Sequence, residues 1–524
     1  MLSYSCQRQQ KSPHGALVVG SFKPLQRTPQ RLLYNTSARR SAIFSFYPLK
    51  DLKYILNCVI IKILNLISKK SIMKKHKLKL STTQVIMLSF LFVILIGSLL
   101  LALPISSKNG KAVPYIDALF TATTSTCVTG LVTLPTVTTW SVFGQIVILL
   151  LIQVGGLGII TVITGLTVAL HRKIGLKDSR LISDSFNLTS LSGLAAFVKK
   201  VILGTLIIEG VGAVLYMIVF IPDFGVKGIW LSIFNSISAF CNAGIDIIAE
   251  NSLCNYALNP LINTITSLLI ILGGIGYIVW WDIIRVLKNV RKEKVKCLKR
   301  LTLHSKIALS ATLILIFGGA VAIFILEYNN PLTIANYSLF DKIQISFFQS
   351  ITTRTAGFAT IPQENLTNAT AILCLFLMFI GGSPVGTAGG IKTVTIVVLF
   401  ATAYSAIKNK NEVVLFNRNL SRQITKKAVA VASMSFSIVF ISTVLLAAVT
   451  NALALDIIYE TVSATATVGL SRNLTPYLGL LGKLIIIVTM YLGRIGPISL
   501  AIAFNSKEET GNIVKNPTEE ISVG

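Results

Sequence analysis

Four short turns rich in Thr, Ser and Gly recur along this chain at a nearly constant interval, and that repetition constrains its fold more than any other feature. They read TSTCVTGL at 124–131, SAFCNAGI at 238–245, TTRTAGF at 352–358 and SATATVGL at 463–470. Their glycines, Gly130, Gly244, Gly357 and Gly469, fall 114, 113 and 112 residues apart. A fixed period means one structural unit used several times. Each turn follows a long apolar stretch and a short amphipathic one, and precedes a second long apolar stretch. The unit therefore reads as an outer helix, a half-length pore helix, an extended turn and an inner helix. Outer spans are expected near 84–103, 197–221, 307–327 and 427–450. Inner spans are expected near 139–170, 262–287, 370–405 and 478–504.

The stretches are close to 20 residues or longer with almost no charge, which suits a hydrocarbon core of about 30 Å at about 1.5 Å per helical residue. Only 13% of the 524 residues are charged and the mean hydropathy is +0.73, whereas a soluble domain keeps about a quarter charged. The expectation is an all-α integral membrane protein with four pseudo-repeats around one central pore. Its divisions are a basic tail over 1–73, repeats over 74–190, 191–300, 301–420 and 421–506, and a C-terminal tail over 507–524.

The formal charge of +28 would suit nucleic-acid binding if it formed one folded face. It does not: residues 1–80 hold 16 Lys and Arg against one acid, Asp51. Most of the rest falls in the connections His171–Lys200, Arg285–Lys306 and Ala406–Lys427. Basic connections between apolar spans mark the cytoplasmic side, so both termini are expected in the cytoplasm, with no nucleic-acid partner. The half-helices and turns then all enter from outside. Residues 52–67 are too short and too interrupted to span and read as an interfacial amphipathic helix. Met73 opens a basic segment directly before the first span, and translation is expected to start there, with 1–72 spurious or disordered.

Irregular backbone at membrane depth is tolerated only where protein buries it or water meets it. Four re-entrant turns around one axis meet that condition. A glycine in each permits backbone angles that a side chain forbids, and the carbonyls can then replace the water shell of an alkali cation. The candidate filter residues are Thr126, Cys127, Val128, Thr129 and Gly130; Cys241, Asn242, Ala243 and Gly244; Thr353, Thr355, Ala356 and Gly357; and Ala466, Thr467, Val468 and Gly469. Their carbonyls would hold potassium, while the half-helices turn their carbonyl ends toward it. Gly155, Gly156, Gly158, Gly273, Gly274 and Gly276 read as close-packing glycines within inner helices.

The third inner span is interrupted at 381–390 by GGSPVGTAGG. Pro384 removes a backbone donor and clustered glycine weakens helix. Two half-helices joined by an irregular loop are expected, the loop holding Gly381, Gly382, Ser383, Pro384, Gly386, Gly389 and Gly390. GTAGGIKT at 386–393 resembles a phosphate loop only superficially, since the spacing is wrong and no strand precedes it. Arg494, inside the last inner span, must face the bundle interior or water. Lys392 can snorkel toward the cytoplasm, and Arg354 is expected to brace the third turn from behind. Arg472 is expected to add positive charge at the outer mouth.

An enzyme is not expected. The four histidines, at 14, 76, 171 and 304, lie outside the spans, and no HExxH or GxSxG occurs. The seven cysteines are scattered and read as small buried side chains. Asp117, Asp246 and Asp456 sit at pore-helix starts or outer turns, where they can cap helices or attract cations.

FTATTSTCVTGL, RKIGLKDSRLI, TTRTAGFATIP, GGSPVGTAGGIKT, YLGRIGP and the ending PTEEISVG together resemble the Trk/Ktr/HKT superfamily of potassium transporters, most closely its Ktr-type membrane subunits, over residues 74–524. The resemblance implies eight full spans, a homodimer with one pore per subunit in a bacterial cytoplasmic membrane, and KtrA-like nucleotide-binding regulatory subunits on the cytoplasmic face. It implies potassium uptake driven by membrane potential, sodium as an activator, no covalent cofactor, and nucleotide acting only through the partner. It also implies that the loop 381–390, with Gly381, Gly382, Ser383, Pro384, Gly386, Gly389, Gly390 and the following Lys392, gates the pore below the filter, and it places Arg494 beside that loop. Cys241, Ile245, Ala466, Arg472, Asn473 and Val385-Gly386 depart from the common pattern. A sodium-conducting or weakly selective relative is the first alternative. An alternating-access transporter is the second, though two inverted halves would then be expected.

Overall fold

The computed structural model describes residues 82–169, 194–288 and 299–496, all within one compact unit, Lys79–Gly524. The tails over 1–73 and 507–524, the proposed start at Met73 and much of the two basic connections after 169 and 288 lie outside the described residues.

The outer helices are Thr82–Leu101, Leu194–Phe224, Leu303–Glu327 and Arg422–Val449. The half-helices are Tyr115–Cys127, Lys227–Cys241, Leu339–Thr352 and Ala454–Ala466. Among the described residues, the four outer helices alone are long and apolar enough to cross a membrane unbroken. They turn large apolar residues outward, among them Phe92, Leu99, Ile314 and Phe436. Polar side chains lie inside, including Ser98, Glu209, Asn235 and Glu460. This inside-out pattern suits hydrocarbon as solvent.

The inner elements differ from the continuous spans expected in repeats one and two. Repeat one has Val142–Leu157 and Ile159–Ala169; repeat two has Pro260–Ile275 and Tyr277–Leu287, bent by 99°. Repeat three has Asn368–Phe379 and Thr393–Ile407 around the loop 380–392, and repeat four has Leu480–Ile495. Gly158, Gly276 and Gly496 end the first segments with φ of 84°, 93° and 89°, angles that glycine adopts without steric cost. Gly158 and Gly276 are therefore break points, and Gly276 is a packing glycine as well, since a Cβ on it would collide with the Pro384 carbonyl.

Three residues before each break lies a glycine that does pack closely. A Cβ on Gly155 would collide with the Thr126 carbonyl, one on Gly273 with that of Phe240, and one on Gly493 with that of Thr465. In repeats one, two and four a GxxG pair thus does two jobs: the first glycine admits the end of a half-helix and the second ends the inner helix.

Candidate ion pathway

Each half-helix ends in the same backbone device. Val128, Asn242, Thr355 and Thr467 are left-handed, with φ of 56°, 59°, 68° and 52°, and two residues later come Gly130, Gly244, Gly357 and Gly469, also at positive φ. Left-handed Val and Thr are uncommon and hold strain. Hydrogen bonds with half-helix hydroxyls, as acceptors in two turns and donors in the other two, fix the turns. The Gly130 and Gly469 N–H groups donate to Thr124 Oγ1 and Ser463 Oγ at 3.0 Å. Ser238 Oγ and Thr352 Oγ1 instead donate to the carbonyls of Ile245 and Phe358.

The four turns close on one another. A Cβ on Gly130 would lie 2.6 Å from the Ala243 carbonyl oxygen, one on Gly244 2.7 Å from that of Ala356, and one on Gly357 2.5 Å from that of Val468. One on Gly469 would collide with the Thr129 carbonyl, which returns the cycle to the first turn. Each glycine therefore touches the residue before the next glycine, last to first. Thr126 Oγ1, Thr129 Oγ1, Thr467 Oγ1 and the Asn242 amide are buried here without a hydrogen-bond partner among the described residues, and buried polar atoms ordinarily have one. Cys127, Cys241, Thr353 and Ala466 sit at the half-helix ends, Ala243, Ala356 and Val468 between the left-handed residue and the glycine, all buried.

All four glycines line one open cavity of about 380 Å³, together with Asp246 and Glu250. Burial pushes the Asp246 carboxyl up to about 6, against the pull of hydrogen bonds from Ser252 and the Ile248 and Ala249 amides. The other two aspartates are neutralised. Asp117 pairs with Lys483 at 2.5 Å and Asp456 with Arg472 at 2.7 Å. Arg472 also donates to the Gln363 and Leu366 carbonyls, so its charge is matched rather than free at the mouth as expected.

On the other side the loop 380–392 fills the break in repeat two. A helix end leaves carbonyls without partners, and the loop supplies donors. Ser383 N–H donates to Gly274 at 2.8 Å and Thr387 N–H to Gly273 at 3.1 Å, while Val385 accepts from Tyr277 N–H at 2.9 Å. Its neck is clamped by Gly381 N–H to Ile391 and Thr393 N–H to Gly382, both at 3.0 Å. Val385, at φ 62°, is strained. The loop touches the turns of repeats two, three and four: Thr387 Oγ1 donates to Phe240 at 3.0 Å, Gly389 N–H donates to Thr355 Oγ1 at 3.1 Å, and a Cβ on Gly389 would lie 2.5 Å from the Ala466 carbonyl. Gly382 and Gly386 pack on Gly274 and Gly273, Gly390 on Gly381, and Pro384 on Gly276.

Arg494 joins the loop to repeat one, donating Nη1 to the Thr387 carbonyl at 2.7 Å and Nη2 to that of Gly155 at 2.6 Å. Lys392 folds back onto the Ala388 carbonyl at 2.6 Å rather than reaching outward. Arg354 lies buried behind the third turn, 3.5 Å from Thr312 Oγ1 and 3.4 Å from the Gly381 carbonyl.

The sequence reading missed the buried carboxylates. Glu209 accepts from Gln153 Nε2 at 3.1 Å beside the Cys241 thiol. Glu327 accepts from Thr333, Asn330 and Thr367, and Glu460 from Ser471 and Thr475. A lone acid in an apolar run, as in LIIEGVG, was the available signal.

A family model described as a cation transport protein, TrkH, matches residues 52–516. The Ktr system potassium uptake protein B of Bacillus subtilis is 40% identical over 84% of this chain and 96% of that protein. The potassium/sodium uptake protein NtpJ of Enterococcus hirae is 37% identical over 87% of this chain and 100% of that protein. Among solved structures, the potassium transporter TrkH from Vibrio parahaemolyticus aligns with a TM-score of 0.67 at 18% identity, over 85% of this chain and 89% of that one. At that identity the likeness concerns the fold.

Proposed function

The chain belongs to the TrkH family of cation transport proteins, and on that premise we propose that it takes up potassium through the ring of four turns. The observation that carries this reading is the cyclic closure of the turns, each glycine against the next turn's carbonyl. Carbonyl dipoles held in such a ring, with unpartnered threonine hydroxyls beside them, replace hydration water around a cation without a charged ligand. The strain in the left-handed residues suits a site held open for a ligand.

The loop 380–392 is the gate and Arg494 its latch, because the loop bears on three turns while the guanidinium ties it to the inner element of the fourth repeat's neighbour, repeat one. Uptake runs down the inside-negative potential of a bacterial cytoplasmic membrane, worth about 2.3 kcal/mol per charge per 100 mV. A homodimer with KtrA-like nucleotide-binding subunits on its cytoplasmic face sets when the gate opens; the name of the Bacillus subtilis relative, protein B of a Ktr system, supports a partner subunit. The likeness to a potassium/sodium uptake protein favours one second reading, conduction of sodium as well.

The test is growth in low potassium of a host lacking its own uptake systems, with and without a matching regulatory subunit. Wild type should rescue growth, and Gly357→Asp, inserted to the same level, should not. Sodium entry without potassium rescue would keep the ring and overturn the choice of ion.

A further inference from the structure

Arg354 occupies a place that the other three turns leave uncharged. The residues three before the filter glycines are Cys127, Cys241, Arg354 and Ala466. Arg354 is only 7% exposed, and a buried charge at membrane depth is costly unless it is matched. Its match within the chain is poor. Nη2 lies 3.5 Å from Thr312 Oγ1 and 3.4 Å from the Gly381 carbonyl, beyond the usual range of about 2.7–3.2 Å. Nε is buried without a hydrogen-bond partner. No carboxylate among the described residues pairs with the guanidinium, and no neighbouring charge bears on it.

Beside it, between repeats two and three, lies a cavity of about 10 Å³, close to what one water-sized occupant needs. Arg354, Thr312 and Gly382 line it with Ile270, Ile275 and Ile351. The uncommitted polar groups of this lining are donors. Nε–H has no acceptor, Thr312 Oγ1 accepts from Arg354 and keeps its own proton, and the Gly382 N–H makes no hydrogen bond among the described residues. The nearby carbonyls are engaged, that of Gly382 by Thr393 N–H and that of Gly274 by Ser383 N–H. A water would bring two protons of its own to a site short of acceptors, whereas buried waters ordinarily make about three hydrogen bonds. Donors around a full positive charge, walled by isoleucine, suit an acceptor that brings negative charge and no proton.

We propose that this cavity holds a single halide ion, chloride in the cell, against the Arg354 guanidinium and the Thr312 hydroxyl. Chloride is slightly larger than water, and the two long contacts leave the guanidinium room to yield. Bound there, the ion cancels a positive charge that would otherwise oppose a cation in the ring of turns. The assignment rests on the membrane reading of the fold but not on which cation is carried. Its test reads halide binding, so it stands or falls apart from transport.

Thermal unfolding of the purified full chain is followed at fixed potassium and ionic strength while chloride or bromide replaces gluconate. Both halides should raise the wild-type Tm saturably, as a ligand of the folded state does. Arg354→Gln, which removes the charge, should abolish the dependence. Thr312→Val, nearly the same in shape, should raise the half-maximal chloride concentration about tenfold, the worth of one hydrogen bond to a charged group. The valine variant carries the test if the glutamine variant does not insert. Crystals of the full chain grown in bromide should show anomalous bromine signal beside Arg354 Nε. No halide effect on wild type, or an equal effect in either variant, would overturn the proposal, since a merely structural arginine shifts Tm in every salt alike. So would a density peak without anomalous signal, which marks an ordered water only, or bromide density without saturable stabilisation, which marks an adventitious ion only.

Discussion

Replacing Arg494 by Ala should speed ion flux, and the structure sets the size of the effect. The guanidinium makes two short hydrogen bonds, to Thr387 and Gly155, each charge-assisted and worth about 1.5–3 kcal/mol net. They act in series, since the arginine ties the loop to the inner element of repeat one, so the tether is worth one bond rather than two. Losing about 1.5–3 kcal/mol from the closed arrangement shifts the open-to-closed ratio roughly 10- to 150-fold. Thr387 stays bound to Phe240 and Gly273, so the loop should loosen without leaving the bundle. Potassium flux into proteoliposomes of matched protein content should rise at least about tenfold. Arg494→Lys separates the two ways this can happen. A lysine keeps the charge but loses the two-pronged reach, so flux close to that of the Ala variant means the tether matters, and flux close to wild type means the charge does. Unchanged or slower flux in correctly inserted Arg494→Ala protein would refute the latch.

Three further outcomes are expected. Gly469→Ala puts a methyl group against the Thr129 carbonyl at a φ of 97°, a backbone state costing about 1–3 kcal/mol for a side chain; growth rescue should be lost while the membrane level stays within about twofold by immunoblot. The Asp246 carboxyl, raised to about 6, is charged above that pH and neutral below it. The apparent affinity for external potassium should therefore fall as external pH drops through about 6, and Asp246→Asn should flatten that profile at the weaker value. Lys483→Met leaves Asp117 unpaired at 8% side-chain exposure and should cost about 3–5 kcal/mol, seen as earlier thermal unfolding in detergent, with most of the loss recovered in Asp117→Asn, Lys483→Met.

The repeat period and the four glycines were legible because one backbone requirement, a positive φ at the turn, selects glycine four times over. The outer helices were legible within about five residues, since unbroken apolar length is what a bilayer demands. The inner breaks at Gly158 and Gly276 were not, because a glycine that admits a neighbour and one that ends a helix look alike in a single sequence. Only their three-residue spacing, repeated at 155–158, 273–276 and 493–496, carried the distinction. Lys392 and Arg472 were misjudged for a related reason. A long cation finds its partner through tertiary approach, and neither the Ala388 carbonyl nor Asp456 could be assigned to them from spacing. Glu209 was overlooked because its partner Gln153 lies in another repeat.

The cycle of glycine against carbonyl runs from the fourth turn back to the first, and the Asp117–Lys483 pair joins the same two repeats across 366 positions. Chain order and ring order therefore meet at a seam that the ribosome reaches last. A nascent chain with three repeats inserted has three walls and no enclosed passage. The ring of turns closes only when the fourth turn docks on the first. A message truncated before Gly469 yields a protein that lacks one wall, so errors of synthesis are expected to leave the cell short of a transporter rather than burdened with a leak.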